Sequence, residues 1–429
     1  MTGLTAADRP QPVWRRSPAA DPSTRLEGAI EADVAVIGAG FVGLAAALEL
    51  SRSGRSIAVL EAGELASGAS GASAGQVGPL FYGARKAPQD VIGRLGAERG
   101  ERLNRQVAAS GQWLSGMIAD HGIDCAFREG LLCVYRSAKG LDRAGATFEQ
   151  WRAFGGRSER VDRSALARWI ASDRYAGGFL LPDGGFLDPV RLIEGMAAAA
   201  CRAGVRIHTH SRVSTVAKVG GSWVLQAGEG RITADQLLVA TGSAGLAAWP
   251  DLADTIYPIP CGIAATAPLP DRAESMLPHG GPVADLEDPA IFAPAVTEDG
   301  RLLVSFLIGG ARPHPVRSPA PARRRLSRVF PGHPVPPFDS FSWGRIAVTP
   351  DGLPRLLRGS GGMLAVTGCN GFGLTLGMVA AREVARLIAG APDDSLLLPV
   401  SEPKPLPGPR LVPALFRRVL APAMNRLGA

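Results

Sequence analysis

Apolar positions along the chain follow three patterns. Short unbroken apolar runs bounded by glycine or a turn predict buried strands at residues 33–37, 57–60, 205–210, 236–240 and 363–367. Runs whose apolar residues return every three or four positions predict helices at 44–53, 92–121 and 374–390. The second of these carries Leu95, Leu103, Val107, Trp113, Leu114, Met117 and Ile118. A further helix is predicted from Pro189 to Cys201, with Asp188 as N-cap and proline at the first helical position. The third pattern is alternation. Between 210 and 236 it predicts a small β-meander with turns at Gly220-Gly221 and Glu229-Gly230. Residues 130–135 read as a strand, and 257–266 and 300–309 as long strands of a second, mostly antiparallel sheet. Asp183-Gly184-Gly185 reads as a turn, and 313–337 as a helix with loops. Strands alternating with helices predict an α/β chain built on a parallel sheet.

The glycines give the first parallel unit a chemistry. The strand at 33–37 runs straight into Gly38-Ala39-Gly40-Phe41-Val42-Gly43, a helix comes next, and the second strand ends in Glu61-Ala62. In a dinucleotide-binding βαβ unit the first glycine makes the tight turn. The second lets backbone approach a pyrophosphate, and the third lets helix and strand sit close. The acid accepts hydrogen bonds from ribose hydroxyls, and the diphosphate rests on the helix N-terminus.

The segment after Glu61 narrows the choice of dinucleotide. Residues 63–77 are nearly all small and include Gly68-Ala69-Ser70-Gly71 and Gly75-Gln76-Val77. This run resembles the Gly-Ala-Ser-Gly…Gly-Gln-Val segment of FAD-dependent oxidoreductases of the D-amino-acid oxidase superfamily, in particular the branch with glycine, sarcosine and γ-glutamylputrescine oxidases. The chain departs from that pattern at Ala72 and Ser73, where the family carries Arg-Asn. Pro12-Val13-Trp14-Arg15-Arg16-Ser17 resembles the family's N-terminal arm, and Ala240-Thr241-Gly242 its buried strand end. Residues 344–354 resemble its Gly-x-x-x-x-Thr-x-Asp-x-x-Pro element. The resemblance implies a non-covalent FAD held by Gly38, Gly40, Phe41, Val42, Gly43, Glu61, Ala62, Gly68, Ala69, Ser70, Gly75, Gln76, Val77, Val213, Thr241, Gly242, Gly371, Phe372, Gly373, Leu374 and Thr375. Val213 is equally readable as an ordinary strand core residue. The Gly371–Thr375 loop opens a helix whose positive end would face the pyrimidine end of the flavin, where reduction builds negative charge.

The domain division this implies is discontinuous. Residues 1–28 form an arm. Residues 29–78, 187–255 and 346–395 form a Rossmann-type FAD-binding domain, glutathione-reductase-like with the meander inserted. Residues 79–186 and 256–345 form a smaller, mostly antiparallel α+β substrate domain. Residues 396–429 are a proline-rich linker and an amphipathic helix.

The substrate is less legible. The resemblance implies oxidation of an amine or amino-acid C–N bond to an imine by hydride transfer to flavin N5, then hydrolysis. Family members that act on α-amino acids hold the carboxylate with an arginine three residues before the threonine. Here that position is Ile346, with an arginine one residue earlier at Arg345. This favours an amine without an adjacent carboxylate, such as γ-glutamylputrescine. Gln76, Tyr257, Trp343 and Arg345 are the candidate substrate-pocket residues, with Phe81 and Tyr82 as further aromatics. Oxygen or an electron carrier would reoxidise the flavin. Two alternatives stay open: a D-amino acid, glycine or sarcosine dehydrogenase feeding a quinone or partner protein, and an FAD-binding subunit without turnover of its own.

Composition excludes several classes. The net charge of +7 comes with no nucleic-acid motif, so no nucleic-acid partner is expected. No histidine lies in a catalytic constellation, and no spacing suits a metal. Five scattered cysteines predict free thiols in a cytoplasmic protein. Leu411, Val412, Leu415, Phe416, Val419, Leu420, Met424 and Leu427 share one face of a predicted C-terminal helix, with arginines elsewhere and Pro422 weakening it. That helix is expected to dock on its own protein, on a neighbouring subunit, or on anionic lipid at the inner face of a membrane.

Overall fold

The run Asp33–Ile37 has no room for a polar face, and Val34, Ala35 and Val36 are fully buried in the strand Ala29–Ile37. That strand is the centre of the fold. The structure is a computed structural model that describes residues 12–16, 21–81, 86–246, 249–290, 292–310 and 319–427. In its main sheet the strand order is Val400–Ser401, Arg355–Arg358, Leu364–Thr367, Gly230–Val239, Ala29–Ile37, Ile57–Leu60 and Arg206–His208. The five strands from Leu364–Thr367 to Arg206–His208 are mutually parallel. Ile37 is in register with both Leu60 and Val239, so the carboxyl ends of three strands finish level. Open parallel sheets bind ligands just beyond that edge.

Helices Phe41–Ser51 and Met378–Ile388 cover one face, and their alanines and leucines join the largest core cluster. The meander forms as Val213–Val219, Ser222–Ala227 and the first half of Gly230–Val239. That last strand is ten residues long because it serves twice. Residues 230–234 close the meander on one edge, while the strand pairs with Ala29–Ile37 along the other.

Two further sheets stand over the carboxyl edge. One is antiparallel, in the order Pro294–Val296, Arg301–Leu307, Tyr257–Pro268 and Phe338–Val348. Residues 346–348 are paired in this sheet, up to Tyr257 opposite Val348. The other holds Val283–Asp285, Arg128–Tyr135, Gly177–Phe186 and Gln76–Val77, with Glu159–Asp162 at its side. The two domains therefore share continuous strands and loops.

Two readings need correction. Asp183-Gly184-Gly185 is not a turn but lies inside the strand Gly177–Phe186. A Cβ at Gly184 would sit 2.7 Å from Leu131 Cβ and 3.0 Å from the Val77 oxygen, so these glycines let neighbouring strands approach. The stretch 92–121 is three helices, Pro88–Leu95, Ala97–Ala108 and Ser110–Asp120, because Gly96 takes φ +83° between the first two. Within 313–337 the helix is Ala320–Val329, and residues 313–318 lie outside the described residues. The helix at 189 obeys its sequence signals: Asp188 accepts from the Val190 and Arg191 amides ahead of Pro189–Arg202.

Candidate functional site

The turn after Ile37 is built by contacts that only glycine allows. Gly38 has φ +105°, and a Cβ there would lie 2.7 Å from the Ala240 oxygen. A Cβ on Gly43 would fall 1.9 Å from the Gly38 oxygen, and one on Gly40 would fall 2.8 Å from Ser70 Oγ. The N-cap of helix Phe41–Ser51 is Gly40, which has no side chain to cap the first turn, so amide donors beyond Phe41 stay aimed at the edge of the sheet. Glu61 Oε2 accepts from the Ala39 amide at 3.0 Å and its Oε1 from the Gly63 amide at 3.1 Å. The acid thus braces both glycine-rich turns and keeps lone pairs for a ribose.

The small-residue segment then lies along the cavity. Ser70 Oγ accepts from the Phe41 amide at 3.3 Å and ties the segment to the helix N-terminus. The N-terminal arm fastens its far end. Trp14 is buried and donates from Nε1 to the Ser73 oxygen at 2.7 Å, and Arg301 donates to the Val13 oxygen at 2.7 Å.

The strand Leu364–Thr367 leads into a second loop. Asn370 takes the left-handed conformation, φ +54°, and its Oδ1 accepts from the Thr349 amide at 2.8 Å. The Thr349 element and the 368–373 loop are thereby locked together. A π-helical turn, Gly373–Gly377, opens the helix Met378–Ile388. Thr375 does not point into the site: its hydroxyl donates to the Gly78 oxygen at 2.9 Å.

These pieces enclose one continuous cavity of ≈ 1100 Å³ that runs from Glu61 past Gly38 and Gly40 to Gly371. That exceeds the roughly 300–1,000 Å³ of ordinary small-ligand sites. Of the residues expected around FAD, Gly38, Gly40, Phe41, Val42, Glu61, Ala62, Gly68, Ala69, Ser70, Gln76, Val213, Thr241, Gly242, Gly371, Phe372 and Gly373 line it. Gly43, Gly75, Val77, Leu374 and Thr375 stand one layer behind. Gly75 is there for contact, since a Cβ would sit 2.0 Å from the Leu187 oxygen. Buried polar atoms without a protein partner include Gln76 Nε2, Thr241 Oγ1, Thr367 Oγ1 and Ser305 Oγ. All four residues line the cavity. A long polar ligand with donors and acceptors along its length, as FAD is, fits that distribution.

The substrate-pocket candidates separate. Gln76 and Tyr257 line the cavity, and Tyr257 donates its hydroxyl to the Pro407 oxygen at 2.7 Å. Trp343 does not line it. Strand alternation turns Trp343 outward, 40% exposed, with Arg345 stacked over its ring at 5.7 Å. Arg345 reaches only the rim, while Ile346 faces the loop, its Cδ1 3.7 Å from the Cβ position of Gly371. Phe81 belongs to the core, stacked on Trp151, and Tyr82 lies outside the described residues.

The end of the cavity beyond Gly371 is largely apolar. Leu131, Ile259, Phe292, Leu307, Ile346 and Phe372 form most of it. Cys133, Cys261 and Cys369 also reach it. Burial pushes the first two thiols up to about 12 and Cys369 up to about 11, so at neutral pH they are thiols, not nucleophilic thiolates. Cys261 and Cys369 touch cavity space but are otherwise enclosed by protein atoms, which is why burial dominates.

Sequence reasoning missed two parts of this wall. Asp285 ends the strand Val283–Asp285 and Asp288 lies in the loop after it, with no motif to mark either. Arg136 bonds both carboxylates, at 2.8 and 2.6 Å, and Arg325 bonds Asp288 at 2.7 Å. Burial still raises the Asp285 carboxyl against the pull of Arg136. The C-terminal helix also supplies Val412, Phe416 and Met424. The eight apolar residues expected to share one face of this helix divide: Phe416 and Met424 pack inward, while Leu411, Val412, Leu415, Val419, Leu420 and Leu427 are exposed.

A parallel sheet with a glycine turn, a ribose-level acid and a second helix start at the far end of one long cavity defines a dinucleotide-binding flavoprotein. Within that class the chain belongs to the DAO family of FAD-dependent oxidoreductases, whose family model matches residues 33–387. It is an FAD-dependent oxidoreductase of a family that acts on amines or amino acids. It is 30% identical over 378 residues to gamma-glutamylputrescine oxidoreductase of Escherichia coli K12, covering 86% of each chain. It is 29% identical over 410 residues to D-amino acid dehydrogenase of Cereibacter sphaeroides, covering 83% of this chain and 92% of that one. Glycine oxidase from Geobacillus kaustophilus shares the fold with a TM-score of 0.66 at 21% identity, covering 83% of this chain and 94% of that one.

Proposed function

We infer that this chain oxidises the C–N bond of an amine without an adjacent carboxylate, giving an imine that water hydrolyses to a carbonyl compound. The observation that carries this reading is Ile346, an aliphatic side chain beside the Gly371 loop at the position where the resemblance implies a carboxylate-binding arginine; of the two described arginines that line the cavity, Arg345 is held over the exposed Trp343 ring and Arg212 stands beside Val213. An α-carboxylate placed there would be desolvated without a cation. The D-amino acid, glycine and sarcosine reading is weaker on the same ground.

Bound FAD supplies the hydride acceptor. The residues of this chain bind, orient and exclude water. Glu61 and the first turn of helix Phe41–Ser51 hold the ribose and diphosphate. Gln76 Nε2, without a protein partner, is placed to donate to the ring or the substrate. The thiols at the far end are protonated, and Asp285 is engaged by Arg136, so the described residues at that end offer no free base. The reacting amine therefore arrives neutral, from solution, and alkyl groups of the substrate lie on Leu131, Ile259 and Phe372. Cys369 as a protonated thiol supports a non-covalent FAD.

A panel of primary and secondary alkylamines, γ-glutamylated amines and α-amino acids, offered anaerobically to the FAD-loaded protein, tests this. Bleaching of the flavin by the carboxylate-free amines is expected. Faster bleaching by α-amino acids would overturn it.

A further inference from the structure

Among the described residues eight large hydrophobic side chains are exposed, and six of them stand on one element: Leu411, Val412, Leu415, Val419, Leu420 and Leu427. That element is the C-terminal helix, Leu411–Leu415, Phe416–Leu420 and Ala421–Leu427, with a π-helical turn in the middle. Its inner face is already used. Phe416 and Met424 lie against the cluster of Ile259, Leu307 and Ala421. Asn425 donates to the Leu307 oxygen at 2.9 Å, and the Gly310 amide donates to the Arg417 oxygen at 2.9 Å. The helix is anchored through one face while the apolar face opposite stays uncovered.

Charge identifies what covers it. After Glu402 the sequence holds no further acid, and its ionisable side chains are Lys404, Arg410, Arg417, Arg418 and Arg426. Arg410, Arg418 and Arg426 are exposed beside the apolar residues. An apolar stripe edged by cations matches the boundary between acyl chains and anionic headgroups. A second copy is a poorer occupant, because its helix would bring the same five cations to the interface. No described helix is long and apolar enough to cross a membrane, so the contact is peripheral.

We propose that the outer face of the 411–427 helix docks on an anionic lipid surface. Because Phe416 and Met424 on the anchored face of the same helix wall the cavity, docking sets that end of the cavity at the bilayer. The second statement rests on the amine-oxidation reading only for what the cavity holds.

The test is co-sedimentation of the FAD-loaded full chain with vesicles of phosphatidylglycerol and phosphatidylcholine, against phosphatidylcholine alone. Binding to the anionic vesicles, lost in high salt, is expected. Arg418→Gln should weaken it about 5-fold, and Leu411→Ser/Leu415→Ser should abolish it with flavin content unchanged. Bound vesicles should also lower iodide quenching of flavin fluorescence. No binding to anionic vesicles, equal binding to both compositions, or a dimer that the double serine variant dissolves would overturn the docking. Unchanged iodide quenching would overturn the placement of the cavity. Amine bleaching without lipid reports on C–N oxidation separately: bleaching without docking sinks this proposal alone, and docking without bleaching sinks the other.

Discussion

Gly43 and Gly116 are both interior to helices, Phe41–Ser51 and Ser110–Asp120, and both have ordinary helical φ. Helix propensity alone says that alanine at either site stabilises by about 1 kcal/mol. The structure splits the two. Around Gly116 nothing lies within 4 Å of a Cβ, so Gly116→Ala should follow propensity and raise the thermal midpoint. At Gly43 the Cβ would lie 1.9 Å from the Gly38 oxygen, where ordinary contact begins at 3.4 Å. The helix start must retreat by about 1.5 Å, a full residue of helical rise. Overpacking costs of about 1–3 kcal/mol exceed the propensity gain. The displaced atoms are those that meet the diphosphate. Gly43→Ala should therefore weaken FAD binding about 10- to 100-fold while far-ultraviolet circular dichroism changes little. Fluorescence titration of the apoprotein with FAD reads the affinity. A Gly43→Ala protein that binds FAD within twofold of wild type would refute the assignment of this turn to the diphosphate.

Glu61→Gln leaves one acceptor oxygen where two backbone amides now bond, so FAD affinity should fall about 5- to 100-fold in the same titration. Asn370→Gly relieves the left-handed backbone but removes the bonds to the Thr349 amide and the Gly368 oxygen; a net loss of about 1–3 kcal/mol is expected by thermal unfolding of the holoprotein. Burial pushes the Asp188 carboxyl up to about 6, above its ordinary 3.8, despite the amides it caps. The folded state thus holds a proton that the unfolded state releases. This contribution to stability is complete below about pH 4 and lost as pH rises through about 6. Asp188→Asn keeps an acceptor for the cap, so its thermal midpoint should exceed wild type at pH 8 and converge with it near pH 4. With no free base among the described residues at the substrate end, the bleaching rate at subsaturating amine should climb with pH toward the pKa of the amine itself; a plateau well below it would reveal a base on the protein.

The FAD end of the cavity was legible because its signals are local. A turn of φ +105°, a close helix–strand approach and an acid at a strand end are each written within about thirty residues of Asp33. The substrate end was not, because it is assembled at long range. Ser305 comes from one sheet, Asp285 from the end of a strand in another and Asp288 from the loop after it, both braced by arginines, and Phe416 from the C-terminal helix. Trp343 shows how alternation decides such cases: one strand step separates it from Gly344, which faces the small-residue segment, and two more reach Ile346 at the Gly371 loop. Asp183-Gly184-Gly185 has the composition of a turn, yet its glycines serve strand contact. Composition marks where backbone must come close without saying whether the chain also reverses there.

Amine oxidation in this cavity is tested most directly by the visible flavin spectrum of the purified protein under anaerobic conditions, before and after addition of a carboxylate-free alkylamine or γ-glutamylated amine. The expected result is an oxidised flavin that bleaches with one equivalent of imine-derived carbonyl product per flavin. A flavin that no amine or amino acid bleaches, in a protein whose cavity is loaded with FAD, would contradict it.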